Sequence, residues 1–249
     1  MFGPNATNSA AYDHTRNAVE NMLWGYNGAI FAYAQTASGK THTMRGEGGG
    51  EDGEVQMVAQ DIFRHVEAQA SHQDVVVKAS FIEVYIERVG DLLVLLGNRS
   101  NLGVREGGNG SLVVSEGRVA MGASDLIGIF HEGDQNRAVG LTGMNSCSSC
   151  SHAILKITVE NTSKGNATIS TLSMIDLAGS KSAKHTGTAG DRRLEGGNIN
   201  NSLLVLSRVI TVLGKISRAG AKKRNRKEDP PSWQVDNLCT RGFPRNDPG

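Results

Sequence analysis

The chain of 249 residues has few cysteines, no long apolar run and almost no net charge, and each shortage excludes a class of protein. Its three cysteines are an odd, sparse set, typical of reduced thiols and not of a disulfide-held secreted scaffold. Residues 1–4 lack the basic and apolar regions of a signal peptide, and no later stretch approaches the roughly 18 consecutive apolar residues of a membrane span. Because 26 basic residues nearly balance 25 acidic ones, the molecule as a whole has no attraction to nucleic acid or membranes. We therefore expect an intracellular globular protein with neither of these as a partner.

A short apolar segment, Ala29–Tyr33, is followed by small residues and then by Gly-Lys-Thr. This is the outline of a phosphate-binding loop, in which backbone N–H groups surround phosphates, a lysine reaches the terminal ones and a threonine hydroxyl binds Mg²⁺. The predicted nucleotide-binding residues are Ala34, Gln35, Thr36, Ala37, Ser38, Gly39, Lys40, Thr41 and His42. A plain helix start after a buried strand remains the alternative.

The loop pattern G-x-x-x-x-G-K-[ST] has glycine where this chain has Ala34. Glycine is favoured there either because the tight turn requires φ > 0 or because the backbone approaches the phosphate more closely than a Cβ allows. Alanine in a left-handed conformation costs about 1–2 kcal/mol. The match to the loop pattern is therefore incomplete at Ala34.

Apolar periodicity predicts an α/β fold. Helices are expected over Ala11–Trp24, Val55–Val66, Ser124–Arg137 and Asn198–Ser217, and strands over Ala29–Tyr33, Val75–Tyr85, Ser111–Val114, His152–Glu160 and Thr168–Ile175. The last two strands are expected to pair with each other. Leu92–Leu96 is expected to form a strand paired with Val75–Tyr85 or, alternatively, a helical segment.

Two later segments have the chemistry that nucleoside triphosphate hydrolysis requires beyond a phosphate loop. Hydroxyl side chains precede the strand at His152, and we expect Ser148 and Ser149 to contact the γ-phosphate and, for Ser149, the metal. Asp176 ends another strand and is expected to hold Mg²⁺ through water, with the Gly179 N–H reporting on the γ-phosphate. Taken singly, a serine-rich loop and an aspartate helix cap are the alternatives.

The segments that carry a family resemblance are Phe2–Asn8, Gly25–Gly28, Phe31–Met44, Ser80–Tyr85, Asn136–Arg137, Asn145–His152, Asp176–Ser180 and Asn198–Leu203. Together they resemble the kinesin motor domain from Phe2 to about Ile216, and the loop is similar to that of the centromere-associated subgroup. The resemblance implies a P-loop NTPase with a central, mostly β-sheet flanked by helices, ATP with Mg²⁺ as ligands and microtubules (tubulin) as track. It implies a cytoplasmic, cytoskeletal location, and it makes Glu195 a switch-helix partner through the match to R-x-x-E-G.

The chain departs from the family pattern at two paired positions. Cys150 stands where the serine-rich switch has arginine, and Lys181 stands where the second switch has glutamate. The resemblance implies that both halves of the salt bridge that closes the nucleotide pocket are missing. We therefore hypothesise that ATP binds and that turnover is slow or absent. The family's first strand and the elements after its long helix also have no counterpart, so an incomplete motor domain, truncated at both ends, is expected.

We expect residues 1–218 to be a partial kinesin-like motor domain and residues 219–249 to be a basic, proline-containing, disordered tail. The basic residues predicted to contact tubulin are Lys184, Arg192, Arg193, Lys215 and Arg218. Two alternatives to a motor stay open: a nucleotide- and microtubule-binding adaptor without turnover, and a decayed or truncated gene product without motor activity. A GTPase is disfavoured because the sequence has no N-K-x-D motif.

Overall fold

The computed structural model describes residues 6–47, 50–69, 74–85, 88–94, 102–103, 105–106, 112–113, 115, 117–142, 150–163, 166–180 and 191–223. These residues fall into two compact units. The first contains the described residues up to Gly179, and the second contains Ser180 and residues 191–223.

The first unit alternates helices and strands. Its helices are α1 (Asn8–Leu23), α2 (Lys40–Arg45), α3 (Glu54–Gln69) and α4 (Ala123–Thr142). Its strands are β1 (Gly28–Ala32), β2 (Asp74–Tyr85), β3 (Arg88–Asp91), β4 (Arg105–Glu106), β5 (Leu112–Val113), β6 (Arg118–Ala120), β7 (His152–Ser163) and β8 (Asn166–Asp176). In the second unit the described residues contain one helix, α5 (Asp191–Lys223).

Six strands form one mixed sheet in the order β1-β8-β7-β2-β3, and β6 pairs with β2 beside β3. β1 runs parallel to β8, whereas β8, β7, β2, β3 and β6 pair antiparallel. The parallel pair matters for function because both of its carboxyl ends reach the same edge of the sheet, with Ala32 opposite Asp176.

One face of this sheet forms the core together with the helices. Along β7, Leu155, Ile157 and Val159 are buried, and the intervening residues are half-exposed. This alternation places the apolar side chains on the face that also carries buried residues of the helices, among them Ile62 of α3 and Leu126 of α4. The expected α/β architecture with a mixed sheet and flanking helices is confirmed.

Several predicted boundaries need correction. β1 ends at Ala32, one residue before the predicted end, and α5 extends beyond Asn198–Ser217 at both ends. A strand at Leu92 and Leu93 is wrong, because the strand that follows β2 and pairs with it is β3, and these two leucines form a turn after it. Residues 95–96 of that prediction lie outside the described residues. Leu92 and Leu93 are buried at 0% and 6% exposure, so their apolar character reflects core packing of a turn.

Candidate functional site

The segment between β1 and α2 has the strand-loop-helix form that the sequence predicts. Two residues of this loop adopt left-handed backbone conformations, Gly39 with φ 91° at the helix N-cap and Ala37 with φ 64°. Ala37 is the only non-glycine residue with positive φ in the described part of the chain. Ala34 has no positive φ, and the left-handed conformation falls three residues later, at Ala37, where it costs about 1–2 kcal/mol.

Lys40 folds back over the phosphate loop. Its Nζ donates hydrogen bonds to the carbonyl oxygens of Ala34 at 3.0 Å and Gln35 at 2.9 Å, and the Ser38 hydroxyl donates to the same Gln35 oxygen at 2.8 Å. Burial lowers the pKa of the Lys40 ammonium, and the charge of Asp176 partly offsets this shift. An anionic ligand in the loop would thus meet a cation whose present partners are neutral carbonyls.

The first turn of α2 is joined to the end of β8. The Thr41 hydroxyl donates to Asp176 Oδ2 at 2.9 Å, across a sequence separation of 135 residues. This contact follows from the parallel pairing of β1 with β8, which continues past the strands where the Leu177 N–H donates to the Ala32 carbonyl at 3.2 Å. The structure therefore brings together a hydroxyl and a strand-end carboxylate, two of the three side chains that the sequence assigned to Mg²⁺; the third, Ser149, lies outside the described residues.

A buried guanidinium lies behind this pair. Arg137 of α4 is only 4% exposed, and its Nη1 donates to Asp176 Oδ2 at 3.1 Å. Its Nη2 donates to the Ser151 carbonyl at 3.0 Å, and its Nε lies 3.7 Å from Oε1 of Glu83 on β2. Because a buried charge is tolerated only with partners, this one arginine connects α4 to β2, to β8 and to Ser151, the residue that precedes β7.

Sequence reasoning placed Arg137 in a family motif but gave it no role. A signal was present, since Arg137 follows Leu126 by eleven residues and Phe130 by seven along α4, which are both helical spacings. Both of those side chains are buried, at 0% and 5% exposure. An arginine in register with the apolar stripe of a helix must find buried acceptors.

The segment after β8 packs against the phosphate loop. The Ala178 N–H donates to Nδ1 of His152 at 3.1 Å. A Cβ on Gly179 would lie 2.4 Å from Thr36 Oγ1 and 2.8 Å from its backbone nitrogen, so only glycine fits there. Burial, then the Arg137 charge, lower the pKa of His152, and the Asp176 charge partly opposes them. The imidazole is therefore neutral at pH 7 and can accept this hydrogen bond.

The donor set fits a hard divalent cation such as Mg²⁺. Among the described residues, Asp176 Oδ1 is buried without a hydrogen-bond partner, and the Thr41 hydroxyl lies beside the same carboxylate. Oxygen ligands of this kind are those that Mg²⁺ prefers.

The other predicted residues fall in different places. Ser148, Ser149, Lys181 and Lys184 lie outside the described residues. Cys150 is described and is 6% exposed. His42 Nε2 lies 3.3 Å from Glu47 Oε1, at the surface. Glu195 lies in α5, in the second unit, as do Arg192, Arg193, Lys215 and Arg218.

No helix within the described ranges is long and apolar enough to cross a membrane.

Comparison with known proteins connects this geometry to a family. The profile described as "Kinesin motor domain" matches residues 1–226. The chain is 36% identical over 221 residues to Kinesin-related protein 4 of Dictyostelium discoideum and 37% identical over 220 residues to Kinesin heavy chain of Drosophila melanogaster. Each match covers 86% of this chain but only 11% and 22%, respectively, of the relative.

The fold leads to the same group. The solved structure of a fast kinesin superposes with a TM-score of 0.71 at 32% identity, covering 78% of this chain and 57% of that one. The predicted family and fold are thus confirmed, while the similarity to the centromere-associated subgroup stays a prediction. From the profile match over most of its length and from the shared fold, the chain belongs to the kinesin motor domain family.

Proposed function

We propose that this chain binds ATP with Mg²⁺ and acts as a microtubule-based motor domain. The observation that carries the proposal is the 2.9 Å hydrogen bond between Thr41 and Asp176, which joins the phosphate loop to the end of the neighbouring parallel strand. Two segments separated by 135 residues converge there on one metal-binding chemistry. A helix start without a phosphate role would not require this convergence.

Each residue of the proposed site has a distinct task. Backbone N–H groups of residues 34–39 surround the phosphates, and Lys40 exchanges its loop carbonyls for phosphate oxygens. Thr41 and Asp176, with Ser149, hold Mg²⁺, which when bound neutralises negative charge on the phosphates. Ser148 contacts the γ-phosphate, and Glu195 is the switch-helix partner.

The Gly179 N–H reports on the γ-phosphate in this proposal. Support comes from the fit of Gly179 against Thr36, which leaves no room for a side chain between the two segments. A backbone donor held this close to the phosphate loop can form or lose a contact when the terminal phosphate is present or absent.

A second candidate function, nucleotide binding without turnover, is favoured by Cys150. This thiol is 6% exposed and occupies the position at which the family pattern has arginine. A thiol cannot replace a guanidinium in a charge pair that organises the attacking water. In this case the domain would be an adaptor that does not hydrolyse its nucleotide, and the bound nucleotide would change only by dissociation and rebinding.

The test is nucleotide binding and phosphate release by the purified chain, with and without Mg²⁺ and microtubules. The proposal expects Mg²⁺-dependent ATP binding that Thr41→Ala weakens at least about tenfold, equivalent to about 1.4 kcal/mol. Thr43→Ala in the same short helix is the matched control and should leave binding unchanged. Microtubule-stimulated phosphate release identifies a motor, binding without it identifies the adaptor, and absence of ATP binding contradicts both.

A further inference from the structure

We propose that His152 is a positioning residue that sets Gly179 against the phosphate loop and thereby allows the site to distinguish nucleoside triphosphates from diphosphates. This inference rests on the proposed function and extends it to a side chain outside the predicted site. It is carried by two contacts, the hydrogen bond from the Ala178 N–H to His152 Nδ1 and the close approach of Gly179 to Thr36.

The segment 177–179 is held at two successive backbone N–H groups. Leu177 donates to the Ala32 carbonyl on β1, and Ala178 donates to His152 at the start of β7. Both residues are buried, at 6% and 0% exposure, so an unsatisfied N–H at either position would be costly. The first contact fixes the segment to the sheet, and the second sets the direction in which the chain continues to Gly179.

The position of Gly179 leaves little tolerance. Since a Cβ there would lie within 3 Å of three atoms of Thr36, the two backbones are already as close as packing allows. A loosened Ala178 would let Gly179 move away from Thr36. The N–H assigned to the γ-phosphate would then no longer be held where a terminal phosphate could meet it.

His152 is itself held from several sides. Register pairs it with Val84 of β2, and the next residue, Ala153, pairs with Asp176. Arg137 approaches through the adjacent Ser151. The imidazole is thus a rigid acceptor that connects β7 to the segment after β8 across a separation of 26 residues.

Substitutions of His152 distinguish the effect of its hydrogen-bond acceptor from the effect of its ring volume. Asparagine places a carbonyl oxygen near the position of Nδ1, glutamine places its amide near the position of Nε2, and leucine supplies volume without an acceptor. The positioning role predicts that His152→Asn keeps the function and that His152→Gln and His152→Leu lose it.

The experiment measures the affinities of the three variants and the unmodified chain for ADP and for the non-hydrolysable analogue adenylyl imidodiphosphate, both with Mg²⁺. We expect His152→Leu and His152→Gln to lower the ratio of triphosphate to diphosphate affinity about tenfold, the effect of one lost hydrogen bond. ADP affinity should stay within about twofold, and His152→Asn should restore the ratio. Asn27→Ala removes the acceptor that binds Thr171 at the middle of β8 and is the control for general loosening of that strand.

The outcomes are distinct. An unchanged ratio in His152→Leu, an equal loss of both affinities, or rescue by glutamine in place of asparagine overturns the positioning role while leaving the proposed function intact. An unmodified chain that binds neither nucleotide overturns the proposed function and this inference with it. Thermal unfolding of each variant verifies that the affinities belong to folded protein.

Discussion

Two regions of the first unit each bury a carboxylate, and they offset the free-energy cost of its desolvation differently, one with a cation and the other with a hydroxyl group. At the carboxyl ends of β1 and β8, Asp176 is 8% exposed and lies within hydrogen-bond distance of Arg137 and Thr41. At the contact between α1 and α3, Glu54 is 2% exposed and has the Thr15 hydroxyl at 2.7 Å from its Oε2. Burial raises the pKa of Glu54 to about 7, against a small opposing effect of this hydrogen bond.

The difference shows where the fold retains charge. A buried carboxylate beside a guanidinium stays available as a metal ligand, whereas one with only a hydroxyl neighbour favours its protonated form. At the proposed metal site α4 supplies a counterion, whereas Glu54 at the contact between α1 and α3 has only a hydroxyl as its hydrogen-bond partner among the described residues. Four predictions test this contrast, in order of decreasing expected effect.

The largest effect is expected from removing the counterion. Arg137→Met leaves the carboxylates of Glu83 and Asp176 buried without their cation and should lower the free energy of unfolding by about 3–5 kcal/mol. Urea denaturation measures this change. The matched control is Arg45→Met, which breaks the half-exposed pair with Asp134 and should cost less than about 1 kcal/mol. Equal small losses in both variants would contradict the assigned role of Arg137.

The second prediction concerns Glu54 and pH. Its folded-state pKa is raised from 4.5 to about 7, so the folded chain binds the proton more tightly than the unfolded chain does. The stability contributed by protonation is complete below pH 4.5 and is lost as the pH rises through 7. Glu54→Gln should therefore raise the free energy of unfolding by about 3 kcal/mol at pH 8, at about 1.4 kcal/mol per pKa unit, and change it little at pH 4.

Denaturation at the two pH values is the measurement for Glu54. A substitution that shifts stability equally at pH 4 and pH 8 would show that Glu54 does not change protonation between the folded and unfolded chains. Asp61→Asn is a less suitable comparison, because that carboxylate already pairs with Arg16 and Arg64.

The third prediction concerns the ion pair of the family pattern whose two positions are occupied here by Cys150 and Lys181. Cys150→Arg together with Lys181→Glu should increase ATP turnover at least about tenfold, equivalent to about 1.4 kcal/mol of barrier, because it restores both charges of the family pattern. Cys150→Arg alone buries an additional guanidinium and should destabilise the fold. Steady-state phosphate release measures the first effect. Turnover of the unmodified chain equal to that of the double variant would refute the hypothesis of impaired hydrolysis.

The smallest effect is expected where water already solvates the charges. Lys78 and Glu160 pair at 2.7 Å across β2 and β7, with side chains 34% and 33% exposed. Lys78→Met should change the free energy of unfolding by less than about 1 kcal/mol, and high salt should reduce the difference. If Lys78→Met lowered the free energy of unfolding as much as Arg137→Met does, burial would not be what distinguishes the strong ion pairs of Arg137 from the weak surface pair.

The sequence predicted those features that depend on local periodicity. The alternation of Leu155, Ile157 and Val159 with polar residues identified β7, and its pairing with β8 followed from their proximity along the chain. The phosphate loop was recognised from Gly39, Lys40 and Thr41. Local patterns also misled, since Leu92 and Leu93 are apolar for packing and not because they form a strand.

Features that depend on long-range contacts could not be read from residue patterns alone. Nothing local marks Ala37 as the residue with positive φ, because the loop conformation is set by the strand and helix on either side. Arg137 has a role only because Glu83, Ser151 and Asp176 reach it from three separate strand regions. Ser148 and Ser149 lie outside the described residues, so their contact with phosphate stays a prediction.

The 135-residue separation between Thr41 and Asp176 has a consequence for biosynthesis. A ribosome must release most of the first unit before the two halves of the proposed nucleotide site can meet, so early folding intermediates lack a complete site. A ligand that contacts both halves would stabilise the finished topology over shorter-range alternatives, by a free energy that rises with the logarithm of its concentration relative to its dissociation constant.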